Sequence, residues 1–151
     1  MLAASRVKPM EILLVEDSLL DARVTIHSLR RSQVHHRLTL VRCVREALMF
    51  LNQEGVFARA PRPDLLLLDL NLPDGSGIDV LEWLQNGDVT IDQVTTVVLT
   101  ANEDDEMRFR CRELGVHDYI QKPVHEDEFM RVVRDHKRLM VHSAQQLATL
   151  L

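Results

Sequence analysis

"PDLLLLDLNLPDG", residues 63–75, sets four consecutive leucines directly before an aspartate, with a proline and a glycine following within six residues. A short apolar run bounded by turn residues suits a strand buried on both faces. Asp69 is an awkward end for such a strand, because a buried carboxylate is costly unless it meets solvent, a partner or a metal. What accompanies Asp69 therefore decides how the chain is read.

Four more apolar stretches have strand length: "EILLVE" (11–16), "RLTLVRC" (37–43), "TTVVLT" (95–100) and "DYIQ" (118–121). Helical spacing separates them. Leu19, Ala22, Ile26 and Leu29 form one stripe, and Val44, Ala47, Leu48 and Leu51 a second. Ile78, Leu81 and Leu84 follow, then Met107, Cys111 and Leu114, and finally Phe129, Val132, Val133 and His136. Strands alternating with helices predict an α/β fold, a parallel sheet with helices on both faces. Ser76 with Asp79 three residues on has the pattern of a capping box for the third helix. Asn102 is the expected cap of the fourth, and the acidic run 103–106 reads as a solvated helix start favoured by the helix dipole. The connection 52–63 is longer than usual for a helix-to-strand link. Residues 126–151 read as one long helix, apolar to its end through Leu139, Met140, Leu147, Leu150 and Leu151.

The chain has 151 residues, enough for one domain with a substantial core. A net charge of -5, with one Trp and one Tyr, provides neither a basic footprint nor a stacking platform for nucleic acid. Cys43 and Cys111 lie far apart without a CxxC, as expected of two reduced thiols. No segment has the apolar core of a secretory signal or the length of a membrane span, so a soluble, cytoplasmic protein is expected.

In an open parallel sheet, ligands bind beyond the carboxyl ends of the strands. Those ends carry Glu16 and Asp17, Asp69, Thr100, and Lys122 before Pro123. Three carboxylates crowded together repel one another, and one lysine is too little to balance them. A hard divalent cation such as Mg²⁺ fits the deficit, with Asp17 and Asp69 as direct ligands and Glu16 assisting. A carboxylate beside such a cation can act as a nucleophile and form an aspartyl phosphate. Lys122, the Thr100 hydroxyl and the Ala101 backbone N–H would then neutralise the phosphoryl oxygens.

"LLVED", "LLLLDLNLPDGSG", "VVLTA" and "YIQKP" together resemble the receiver domain of bacterial two-component response regulators, over about residues 10–138. The resemblance implies a (βα)5 flavodoxin-like fold, a doubly wound five-stranded parallel sheet of strand order 2-1-3-4-5. Residues 1–9 would precede this domain and 139–151 would extend its last helix. It implies phosphorylation of Asp69 by a sensor histidine kinase, and Mg²⁺ held by Glu16, Asp17, Asp69 and the Asn71 backbone carbonyl. Lys122 would pair with the phosphate across a cis Lys122–Pro123 bond, and Tyr119 occupies the place of the family's switch aromatic. Glu-Asp stands where Asp-Asp is commoner. Asn71 and Asn102 lie where members tune phosphate hydrolysis and carry no acid or base, so slow to moderate self-dephosphorylation is expected.

The interval from Asp17 to Asp69, 52 residues, places the extra length in the 52–63 loop. That loop and "LDLNLP" resemble the small regulators that partner bacterial and cyanobacterial phytochromes. The face made by the fourth helix, fifth strand and fifth helix carries Arg108, Arg112, Arg131, Arg134 and Arg138, read as solvated charge. In this family that face often serves dimers or effectors, and a homodimer is expected. The chain leaves no room for an output domain after Lys122, so it is expected to act through a downstream protein or a phosphorelay rather than as an enzyme or on DNA. The alternatives are a pseudo-receiver that binds partners without phosphorylation and a dehalogenase-type phosphatase. The latter lacks its second aspartate and a cap domain.

Overall fold

A computed structural model describes residues 8–87, 93–101 and 104–142. Counting only the strands of the main sheet, β1 (Met10–Val15), β2 (His36–Val41), β3 (Leu65–Asp69), β4 (Thr95–Thr100) and β5 (Asp118–Gln121) pair in parallel. Their order is β2-β1-β3-β4-β5, the expected doubly wound arrangement.

The alternation along each strand divides the core into two layers. Leu13, Val15, Leu66 and Leu68 face α2 (Val44–Leu51), α3 (Gly77–Asn86) and α4 (Asp105–Glu113). Ile12, Leu14, Leu65 and Leu67 face α1 (Leu19–Arg31), α5 (Glu126–Asp135) and α6 (Lys137–Met140). All four leucines of β3 are fully buried, as a central strand requires. Each contributes roughly 1.5–3 kcal/mol by leaving water.

Register fixes the edge where these layers meet. Val15 lies opposite Leu68, Asp69 opposite Leu99, and Thr100 opposite Gln121. One residue past each of these pairs, Glu16, Asp69, Thr100 and Lys122 all emerge on the same rim.

Local signals behave as expected at α3, where Ser76 and Asp79 form a complete capping box. The cap of α4 is Asp104, whose carboxylate accepts from the N–H groups of Glu106 and Met107, and not Asn102. Asn102 and Glu103 lie outside the described residues. In α1 the buried face is Ala22, Thr25, Ser28 and Leu29, whereas Leu19 is exposed. Leu19 opens the first turn and is left 53% exposed. The long helix expected from residue 126 is broken: α5 ends at Asp135, His136 is extended, and α6 is a separate turn that buries Leu139. His136 turns its ring to Asp118 at 2.9 Å, which favours the break over a continuous helix. Leu147, Leu150 and Leu151 lie outside the described residues. The long 52–63 connection is stapled by a single 3-10 turn, Gly55–Phe57, with Phe57 edge-on to Phe50 at 5.4 Å.

Candidate functional site

The rim gathers its acids around one ammonium. Lys122 Nζ donates to Asp69 Oδ2 at 2.8 Å, to Glu16 Oε1 at 3.0 Å and to Asp21 Oδ2 at 3.0 Å. Its own backbone aims it: the Lys122 N–H donates to the Thr100 carbonyl at 2.7 Å, and the Lys122–Pro123 bond is cis, as expected. The turn that follows is tied to α1 by a 2.7 Å bond from Ser28 Oγ to the Val124 carbonyl.

Asp69 is 5% exposed and accepts a second bond, from the Asn71 N–H, on Oδ1 at 3.0 Å. Behind it Gly77 packs so closely that a Cβ would lie 2.7 Å from the Asp69 carbonyl oxygen. Asp74 holds the same loop from the other side by accepting from the Val44 and Arg45 N–H groups at 2.8 and 3.0 Å. Those two bonds lower the Asp74 pKa and satisfy donors at the start of α2.

The two residues of the acid pair have different surroundings. Glu16 is buried, with Oε2 accepting from the Ser18 N–H at 3.2 Å. Burial first, and Asp69 beside it second, push its pKa up to about 7 against the opposing pull of Lys122. Burial also works against ionising Asp69, but Glu16, Lys122 and the Asn71 N–H outweigh it and lower its pKa. The two carboxyls thus share the ammonium unequally, and Asp69 is the one that stays ionised. Lys122 is itself raised, since Asp69, Asp21 and Glu16 together overcome the effect of burial. Asp17 points outward, with Oδ1 3.5 Å from Arg42.

The donor set is oxygen throughout, the kind a hard divalent cation takes. Glu16, Asp17, Asp21 and Asp69 outnumber Lys122 and Arg42, which leaves the rim short of positive charge. On charge and donor chemistry the residues fit such a cation. Among the described residues, no three His, Cys, Asp or Glu side chains converge as a finished centre, because Asp17 is turned to Arg42. Asn71 is exposed and begins a two-residue hairpin with Gly75–Ser76.

Thr100 and Ala101 line a cavity of about 180 Å³ that runs from Asp69 under α4 to Met107, Arg108, Cys111 and Tyr119. Tyr119 is half-buried, and its hydroxyl donates to the Arg108 carbonyl at 2.9 Å while the Arg108 guanidinium lies 4.9 Å over its ring. Burial raises its pKa.

Arg131, expected to be solvated, instead grips Asp118 at 3.0 and 3.2 Å and also donates to the Tyr119 carbonyl at 3.1 Å. Arg108 is likewise committed, to Tyr119, while Arg112 and Arg134 are exposed. Two participants escaped sequence reasoning, Asp21 and the Asp118–Arg131 pair. A signal existed for Asp21, an acid four residues beyond Asp17 that falls in the first turn of the helix leaving the rim.

A family model described as the response regulator receiver domain matches residues 12–134. Response regulator Rcp1 of Synechocystis sp. is 38% identical over 127 residues, 83% of this chain and 85% of that protein. The crystal structure of its Mn(2+)-bound form aligns with a TM-score of 0.72 at 33% identity, covering 88% of this chain and 95% of that one. The phosphorylated cyanobacterial phytochrome response regulator RcpA aligns at 0.73 and 35%, over 85% and 91% of the two chains. The bacteriophytochrome response regulator AtBRR aligns at 0.77 and 31%, over 91% and 96%.

Proposed function

The chain belongs to the response regulator receiver domain family, and on that premise we propose that Asp69 accepts a phosphoryl group from a sensor histidine kinase. The observation that carries this is the setting of Asp69: ionised, at the end of a rigid buried strand, with Lys122 on one oxygen at 2.8 Å and the Asn71 N–H on the other at 3.0 Å. An Asp69 oxygen forms the new O–P bond as the P–N bond of the donor phosphohistidine breaks, its electron pair returning to the imidazole. Lys122 takes up charge on the phosphoryl oxygens, and Thr100 and Ala101, which line the same rim beside Asp69, supply the hydroxyl and backbone N–H for the remainder.

Glu16, Asp17, Asp69 and the Asn71 carbonyl are the groups that would hold Mg²⁺, with Asp17 leaving Arg42 to do so. When bound, the cation supplies electrostatic neutralisation of the transferring phosphoryl group. The Mn(2+)-bound form of Rcp1 supports a divalent metal here.

Phosphorylation adds about -1.5 to -2 charge to the rim. Thr100 moves toward it, and the cavity beside Thr100 gives Tyr119 an inward position, at the expense of its bond to Arg108. The face of α4, β5 and α5 then changes shape and transmits the signal, to a downstream protein and within a homodimer. The exposed Phe109 on α4 offers apolar contact area there. Sedimentation that stays monomeric with and without a phosphoryl mimic would sink the dimer. The names of RcpA and AtBRR support a phytochrome-type kinase as the donor.

Incubation with acetyl phosphate and Mg²⁺ tests the phosphoacceptor. An acid-labile adduct is expected by intact mass on wild type and none on Asp69→Asn. A wild type without an adduct refutes the reading.

A further inference from the structure

A primary ammonium has three hydrogens and no more. In Lys122 each has an acceptor, at 2.8 Å in Asp69, 3.0 Å in Glu16 and 3.0 Å in Asp21. A phosphoryl group on Asp69 can inherit the bond that Asp69 held, and it gains a second bond from this ammonium only if Glu16 or Asp21 gives way. The three acceptors differ in what release costs. Asp69 itself becomes the acyl phosphate and is no longer a carboxylate, whereas the Glu16 side chain is 1% exposed and, set loose, is an ionisable group stranded away from water. Asp21 is 43% exposed and exchanges its bond for hydration. It also lies in the first turn of α1, where the helix dipole favours a negative charge with or without the lysine.

We propose that Asp21 is a positioning residue: it holds the Lys122 ammonium over Asp69 in the unphosphorylated protein and is displaced by the incoming phosphoryl group. The inference rests on the phosphoacceptor reading of Asp69. Asp21 stands outside the acid pair, aspartate, threonine and lysine that mark the site in the sequence, and its contact with the site is its bond to Lys122. It keeps the ammonium aimed while no phosphate is present. It then opposes the phosphorylated state twice, by competing for a donor and by placing a carboxylate near a dianion. Its removal therefore favours the phosphorylated state.

Beryllofluoride, a phosphoryl mimic, tests this in the presence of Mg²⁺, with affinity read by 19F NMR on the full chain. Asp21→Asn retains the shape of the side chain and should bind about fivefold tighter than wild type, the scale of one partly exposed ion pair. Asp21→Glu retains the competing charge and should stay close to wild type. Thermal unfolding confirms that both variants fold, and damage to the fold would weaken binding rather than tighten it. Unchanged or weaker binding by Asp21→Asn, beside a wild type that binds, overturns this inference alone. A wild type that binds no beryllofluoride overturns the phosphoacceptor reading, and this inference with it.

Discussion

Replacing Glu16 with glutamine isolates the cost of keeping a second carboxylate at the rim. Glu16 ionises near 4.5 in an unfolded chain and at about 7 in the folded one, chiefly because it is buried. Between those values the native state binds a proton that the unfolded state has lost. Unfolding then becomes easier as pH rises through the window, so stability falls from below pH 5 to above pH 7. At 1.36 kcal/mol per unit, the loss amounts to about 3 kcal/mol. Asp69 does not blur the measurement, since its pKa is lowered and its own window lies below 3.8. Glutamine has nearly the same shape, keeps one oxygen for Lys122 while its amide nitrogen cannot accept from the Ser18 N–H, and never ionises. Urea unfolding of both metal-free proteins from pH 5 to pH 8 is the assay. From pH 5 to pH 8 the glutamine variant should gain roughly 2–3 kcal/mol on wild type, whatever offset the lost Ser18 bond leaves at pH 5. Titrations elsewhere in the molecule cancel in the difference. A difference that stays flat across the range, or that moves against glutamine as pH rises, refutes the account.

Two further substitutions probe the supports of the site. In Gly77→Ala the new Cβ meets the Asp69 carbonyl at 2.7 Å and Leu70 Cδ2 at 2.9 Å, so the acceptor loop must shift. A loss of about 1–3 kcal/mol is expected by chemical denaturation, together with slower phosphorylation by acetyl phosphate. Asp118→Asn leaves Arg131 and His136 facing an amide in place of a carboxylate. A loss of about 2 kcal/mol at pH 7 is expected. Because the Asp118 pKa is lowered, that difference should shrink as pH falls below 3.8, and thermal melts across that range check the sign.

What could be read from the chain depended on how far apart the interacting groups lie in sequence. Four buried leucines in β3 produce an uninterrupted apolar run because both faces of a central strand are covered, and that pattern is local. The rim residues follow from it, since the end of each strand is also local. Ion pairs are not. Asp21 and Lys122 are 101 residues apart, and they meet only because α1 and β5 are brought to one edge by the strand order. Arg131 reaches Asp118 across the packing of α5 on β5, so an arginine on a helix read as solvated when it is in fact committed. Leu19 shows the reverse failure. Its spacing matches the buried stripe, but burial also requires a neighbour across the face, and at the first residue of α1 the side chain stays exposed. The choice of Asp104 over Asn102 as the α4 cap turned on two residues of backbone geometry that periodicity does not resolve.

The Glu-Asp pair at the end of β1 gains meaning from this asymmetry of burial. Adjacent residues leaving a strand point to opposite sides, and here one side is core and the other is solvent. Glu16 takes the buried side, where its extra methylene lets it reach Lys122 at 3.0 Å while the Ser18 N–H satisfies its other oxygen. Asp17 takes the open side and rests against Arg42, in a pair whose side chains are 48% and 51% exposed. An ion pair that open to water is worth about 0–1 kcal/mol, so Asp17 can leave Arg42 at little cost. Glu16 has no such freedom, because moving it strands a buried carboxyl group and releases the lysine. On the proposed function the acid pair would divide its work: Glu16 keeps the ammonium in place, and Asp17 is the arm free to turn inward toward a cation.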